Sequence, residues 1–465
     1  MNIKPEDLIY NRKNVWKQVN AETAQQIFNF SEGYKQFISN SKTERACVSQ
    51  IINMAQIRGF IPIQQCQALK PGDKVIISSK GKVVALAVIG QQGLDRGLSL
   101  IGSHTDAPRL DLKPHPLFQD QELALFKTHY YGGIKKYQWL AVPLALHGVI
   151  YKSDGQVVDI SIGEEPNDPI FTISDLLPHL AKDQMVKKLT EAVEGEQLNI
   201  LIGGVSLPGG GKDNSVKLNI LKLLYETYGI TEEDFVSAEL ELVPAGPARD
   251  LGLDRSMIGA YGQDDRVCVY TSLQAILEIN NPNRTAVALF VDKEEVGSNG
   301  NTGMMGRFLQ NTISEMGMRL YPAFNEFALY RVFEKSIALS ADVTAAMDPN
   351  YEGVLEKMNA ARLGGGVALT KYTGVKGKYH TNDANAEYVA FIRKMLNQHD
   401  IIWQTGELGK VDQGGGGTIA YIIAELGFEV IDCGVPLLSM HSPLEIASKA
   451  DVFECYRTYK NFFMV

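Results

Sequence analysis

The sequence predicts an α/β fold: a mostly parallel mixed sheet flanked by helices, with a smaller β-rich domain inserted into it. Two observations carry this expectation. In the C-terminal half, short apolar runs alternate with stretches of helical spacing, the pattern of β-then-α units that cover a parallel sheet. Between about Pro108 and Val236 the character changes to short strands and polar loops, which reads as a second domain interrupting the first. The expected division is therefore 1–107 together with 237–465, and 108–236.

Taken in order, the first segment up to about Ile61 carries apolar residues at helical spacing. Ala24, Ile27 and Phe28, then Tyr34, Phe37 and Ile38, then Ile51, Met54 and Ala55 predict a helical hairpin. From Lys74 the pattern turns to β, with 75–77, a Ser79-Lys80-Gly81 turn and the run 83–89. Residues 98–101 form another short strand that ends in Gly102-Ser103-His104. Within the insert, 157–162 and 198–201 read as strands. Residues 286–291 predict a buried strand followed by a helix through Met305, Phe308, Leu309 and Met316, and 337–339 a strand leading to a loop. Ile419, Ile422, Ile423 and Leu426 form a helical stripe before Val430-Ile431. A last helix is signalled by Ser442 at the N-cap, Pro443 at N1 and Glu445 at N3.

Composition narrows the function. The proportions are those of a globular enzyme, and 465 residues allow two or three domains with cores that need no staples. A net charge of −9 with no block of Lys or Arg argues against a nucleic-acid partner, because such binding is driven by cations. The five cysteines lie far apart and form no CxxC pair, so a reducing cytoplasm is expected rather than a disulfide framework. The N-terminus lacks an apolar h-region, and no stretch has the roughly 20 apolar residues that span a bilayer, so no membrane partner is expected.

Candidate ligands gather where apolar runs end. Residues 98–101 lead to His104 and Asp106, 286–291 to Asp292, Glu294 and Glu295, 337–339 to Asp342, and Val430-Ile431 through Pro436 to His441. In open α/β sheets the ligand crevice lies beyond the carboxyl ends of the strands, so these residues are expected on one rim. His104-x-Asp106 reads as a metal-binding imidazole whose second ring nitrogen is held by a carboxylate. Glu294 and Glu295 need different tasks, one as a metal ligand and one for a proton, with Val296-Gly297 allowing the backbone to turn. Asp264-Asp265 precedes a helical stripe, where capping and dipole stabilisation compete with the bridging of two cations. Pro208-Gly209-Gly210-Gly211-Lys212 does not make a phosphate loop, since the first required glycine is missing and Asp213 replaces the Ser or Thr. Gly414–417 with Thr418 stands before a helix, either as a flexible lead-in or as a place where substrate approaches the backbone.

Together these segments resemble one family. Ser103-His104-Thr105-Asp106, Asp264-Asp265, Asp292-Lys293-Glu294-Glu295-Val296-Gly297-Ser298, Ser340-Ala341-Asp342 with Pro349-Asn350-Tyr351, and Met440-His441-Ser442 occur in the order of the aspartyl aminopeptidase and aminopeptidase I family. These are dinuclear zinc metallo-aminopeptidases, and the resemblance runs over almost the whole chain. It implies that Asp264 bridges two ions, that His104 and Asp342 complete one site, and that Glu295 and His441 complete the other. It also implies Glu294 as general base and Asp106 as the partner of the His104 ring. Two such cations activate a water and polarise the scissile carbonyl. Zinc is the first expectation, with manganese and cobalt as alternatives. By the same resemblance His179 reaches the active site of a neighbouring subunit, within a tetrahedral homo-dodecamer built from dimers.

Two departures bear on specificity. Gly262-Gln263-Asp264-Asp265-Arg266 stands where many members have Arg-x-Asp-Asn, and Asp348-Pro349-Asn350-Tyr351 where they have His-Pro-Asn-Tyr. An acid is added and a cation removed, so peptides with neutral or varied N-terminal residues are expected, with an acidic preference as the alternative. Two other functions compete: a dinuclear metal deacylase of N-acyl amino acids on the same fold, and a catalytically inactive assembly protein.

Overall fold

The computed structural model describes residues 4–209 and 214–465. Its centre is a nine-stranded mixed sheet, in the order Ile61–Pro62, Lys74–Ser79, Val83–Val88, Thr285–Val291, Leu98–His104, Ile337–Ser340, Glu429–Gly434, Val367–Thr370, Trp403–Thr405. The four strands from Thr285–Val291 to Glu429–Gly434 run parallel, so their C-terminal ends share one edge. Thr285–Val291 and Leu98–His104 are buried throughout, which is why they read as near-continuous apolar runs rather than alternating ones.

Successive residues of these strands serve two cores, as the period of two demands. Leu86, Ala288 and Phe290 pack with the helices Ala21–Ser39, Glu44–Ile57, Gln263–Glu278, Ala386–Gln398 and Lys449–Phe462. Ala85, Ala87 and Leu289 face the helices Phe308–Leu320, Glu326–Lys335 and Ala420–Glu425. The first two helices, expected from their spacing, are capped by Asn20 and Thr43, whose side chains accept from Thr23 N and Ala46 N.

A second, six-stranded antiparallel sheet leaves the central sheet after His104 and rejoins it before Thr285. It comprises Val157–Ile162, Leu144–Tyr151, Ala238–Pro244, Arg109–Asp120, Leu123–Tyr131 and Ile200–Gly203, and closes over its own core of Leu110, Phe126, Trp139, Leu146 and Leu242. Ala238–Pro244 lies beyond the expected 108–236 span. It belongs to this sheet because Leu240 and Leu242 bury into the same core.

Two expected helix starts differ. The helix after Thr285–Val291 begins at Phe308, so Met305 precedes it. Ser442 does not cap the last helix: Glu445–Ser448 is a strand paired with Met257–Ala260, and the helix is Lys449–Phe462, preceded by Ser448. The reason is Glu445, which is 1 % exposed and receives hydrogen bonds from two backbone N–H groups of the site below. Of the glycine-rich 208–212 segment, Gly210 to Lys212 lie outside the described residues, as does Asp213. Among the described residues no helix is long and apolar enough to cross a membrane.

Candidate metal centre

Each site residue stands where a strand ends or a helix begins. His104 closes Leu98–His104, in register with Val291. After Val291 the chain turns at Lys293 (φ 68°), so Glu294 and Glu295 lie on a short turn, Glu294–Val296, closed by Gly297 at φ 86°. The turn thus starts one residue before the two acids, and both border the same cavity. Asp342 follows Ile337–Ser340. His441 lies beyond Pro436–Leu438 at φ 64°. Asp264 and Asp265 open the helix Gln263–Glu278 with non-helical dihedrals, and their side chains turn to the two histidines instead of capping it.

Asp264 stands between the histidines. Its Oδ1 is 3.2 Å from His104 Nε2, and its Oδ2 is 3.2 Å from His441 Nε2. Glu295 Oε2 joins the second side at 3.3 Å from His441 Nε2, and Glu294 Oε2 lies 3.9 Å from His104 Nε2. Donor atoms of His104, Asp264 and Glu295 fall within 4.8 Å of one another, as do those of Asp264, Asp265 and Asp342, so Asp264 belongs to both groups.

The surrounding hydrogen bonds aim these donors. His104 Nδ1 meets the Asp106 carbonyl at 3.0 Å, and His441 Nδ1 meets the Gly133 carbonyl at 2.8 Å. A carbonyl only accepts, so each Nδ1 carries hydrogen and each Nε2 points its lone pair inward once the ring is neutral. The Asp106 carboxylate accepts from Glu294 N, Glu295 N and, at 2.8 Å, the Tyr131 hydroxyl. Glu445 accepts from Asp264 N at 3.0 Å and His441 N at 2.7 Å, tying both segments together. Asp265 accepts from His104 N.

Electrostatically the cluster calls for positive charge. Burial, then the neighbouring Asp264, pushes Glu295 well above the usual carboxylate range, and burial with Glu294 does the same to Asp342. Burial raises Glu294 to about 7. Burial alone would keep the histidines neutral, but Asp106 and Asp264 hold His104 well above its ordinary value, and Asp264 and Glu295 lift His441 to about 11. His104 Nε2, Asp264 Oδ1, Asp265 Oδ1 and Glu295 Oε1 are buried without a hydrogen bond. Such crowded acids are unfavourable unless cations bind with them. The imidazole and carboxylate donors, with no thiolate among them, fit zinc, manganese or cobalt.

The centre opens into a cavity of about 460 Å³. Gly415–Gly416 crosses it as a strand paired with Gly374–Val375. A Cβ on Gly415 would lie 2.2 Å from the Gly374 carbonyl, so the glycine run serves close backbone approach rather than a loose start to the helix. Of the two departures noted in the sequence, Asp265 joins the donor group with Asp264 and Asp342, whereas Asp348 and Arg266 do not reach the cavity wall. Asp348 accepts from Asn350 N, and Arg266 is buried, donates to Thr105 O and stacks on Tyr261. His179 is exposed on the turn Pro178–Leu180, away from this cavity of its own chain.

Sequence reasoning missed Tyr131, Gly133, Glu445 and Asp432. Tyr131 and Gly133 come from the inserted segment and carried no local signal. Glu445 was visible but imitated a helix cap. Asp432, a carboxylate inside a buried apolar strand, was the one with a usable signal.

Residues 37–463 match the family model of the aminopeptidase I zinc metalloproteases (M18). A probable M18 family aminopeptidase 1 of Clostridium acetobutylicum is 52 % identical over 462 residues, covering 98 % of this chain and 99 % of that protein. A probable M18 family aminopeptidase 1 of Thermotoga maritima is 50 % identical, covering 97 % and 98 %. The crystal structure of an M18 family aminopeptidase from Thermotoga maritima superposes with a TM-score of 0.94 over 98 % of this chain and 99 % of that one, at 50 % identity.

Proposed function

This chain belongs to the aminopeptidase I zinc metalloprotease (M18) family, and on that premise we propose how its residues carry out the hydrolysis of an N-terminal peptide bond. As a zinc metallo-aminopeptidase it is a hydrolase. Asp264 would be shared by two divalent cations, zinc first among the candidates; His104 and Asp342 would hold one, and Glu295 and His441 the other. The observation that supports this most is the placement of Asp264, with one oxygen toward each histidine. When bound, such a pair lowers the pKa of water and polarises the scissile carbonyl.

The chain's own groups do the rest. Glu294, beside His104 and facing the cavity, takes the proton of the attacking water and passes one to the leaving amine. Asp106 fixes the His104 ring and, through the backbone N–H groups of Glu294 and Glu295, the turn that carries both acids. Among the described residues no Lys or Arg lines the cavity, which favours peptides with neutral or varied N-terminal residues over acidic ones. The same feature speaks against an N-acyl amino acid deacylase, which needs a cation for the substrate carboxylate. The deciding experiment compares leucine p-nitroanilide with its N-acetyl form on zinc-loaded protein. Only the free amine is expected to be cleaved, with loss of activity in EDTA and recovery on adding zinc. Faster cleavage of the acetylated form would establish the deacylase instead.

For the assembly, we assign the segment from about 108 to 244 to oligomerisation and substrate access in a cytoplasmic, tetrahedral homo-dodecamer built from dimers. His179, on an exposed turn beside exposed Leu176, Leu177 and Leu180, serves the active site of a neighbouring subunit. Mixed oligomers of His179→Ala and Glu294→Gln chains are then expected to regain part of the activity that each lacks alone. Hybrids that form and stay inactive return His179 to a structural role.

A further inference from the structure

Asp432 is used by none of the steps above. It stands in the central strand Glu429–Gly434, is 3 % exposed, and borders the cavity. Its register partners are Ser340 on one neighbouring strand and Thr370 on the other, so the three side chains share one face of the sheet. Thr418 approaches the same carboxyl from the glycine run.

Elsewhere in the protein a buried carboxylate that braces the fold is plain to see. Asp451 accepts from Gly364 N and Gly366 N, both at 2.7 Å, and Glu445 accepts from Asp264 N and His441 N. Asp432 has no such bracing. Among the described residues no backbone N–H and no charged donor reaches either oxygen; only the hydroxyls of Ser340 and Thr418 approach the carboxyl. A buried carboxylate left in this condition is unfavourable unless something reaches it. The side on which a further group can approach is the cavity that it borders. The other acids there, Asp264, Glu294, Glu295 and Asp342, belong to the metal centre, and no Lys or Arg among the described lining residues balances Asp432.

We propose, resting on the aminopeptidase reading, that Asp432 with Ser340, Thr370 and Thr418 ends the subsite for the side chain of the substrate's N-terminal residue, and that it selects a cationic side chain, lysine or arginine. The distances suit this. Asp342 lies two residues beyond Ser340, the register partner of Asp432, which puts the two backbones roughly 8 Å apart, within reach of an extended lysine side chain.

The test uses lysine and norleucine p-nitroanilides, which share a four-carbon stem and differ by the ammonium group. Zinc-loaded wild type is expected to show kcat/KM for lysine at least about tenfold above norleucine, and Asp432→Asn to bring that ratio close to one. The ratio is the readout, whatever the absolute rates of the variant. A second measurement needs no variant: in wild type, lysinamide should inhibit leucine p-nitroanilide cleavage at a Ki well below that of norleucinamide. Norleucine cleaved as well as lysine, or a lysine preference that survives Asp432→Asn, overturns the Asp432 assignment and leaves the aminopeptidase reading standing. Cleavage of neither substrate overturns that reading and this proposal with it.

Discussion

Replacing Glu294 by Gln is expected to lower kcat by about 10²- to 10⁴-fold, the usual contribution of a positioned proton-transfer group. Gln keeps the size of the side chain, and the backbone hydrogen bond from Glu294 N to Asp106 is untouched, so the turn survives. Zinc content and inhibitor affinity should stay near wild type, because Glu295, 3.3 Å from His441, is the proposed ligand. Glu295→Gln should behave differently, with weakened zinc binding and partial rescue by excess metal. Paired measurements of kcat and bound zinc decide the matter. A metal-poor Glu294 variant beside a metal-replete, inactive Glu295 variant would exchange the two roles while leaving the two-cation chemistry intact.

Asp264→Ala should cost more than any other single ligand change. Each oxygen faces a different histidine, so its loss should disturb both proposed cation sites, and activity should fall by more than the roughly 100-fold typical of an outer partner. Metal analysis should find little bound to Asp264→Ala, whereas His441→Ala should retain about one of two ions. The fold should survive either change, as it should survive EDTA, since the proposed ligands follow strand ends, or in Asp264 open a helix, around a sheet that is buried on both faces. Circular dichroism and the thermal midpoint check this. Global unfolding on chelation would show that the cations organise the fold rather than occupy a formed site.

The turn at Lys293 illustrates what can be read locally and what cannot. Adjacent acids after an apolar run were conspicuous, and so was the need to separate their tasks. Gly297 turns the chain as its glycine suggests, at φ 86°, but the entry to the turn was not legible, because Lys293, a residue with no such signal, also takes the left-handed conformation. Glu445 shows the converse. Ser442, Pro443 and Glu445 form a sound capping pattern by local rules. The pattern is overridden because Glu445 satisfies two backbone N–H groups 181 and 4 residues away, and those bonds outweigh a helix cap exposed to water.

By itself the sequence determined the parallel strands, their order along the chain, the interrupting second sheet, and the acids and histidines delivered to one rim. All of these follow from periodicity and from what stands next to the end of an apolar run. Only the tertiary structure decided that Asp264 faces both histidines, that Tyr131 and Gly133 of the insert hold Asp106 and His441, and that Asp432 meets hydroxyls but no backbone N–H or cation in the cavity wall. Those facts depend on which donors and acceptors meet across 25 to 308 residues of chain, and the hydrophobic pattern that packs the strands is indifferent to where a buried carboxylate finds its hydrogen bonds.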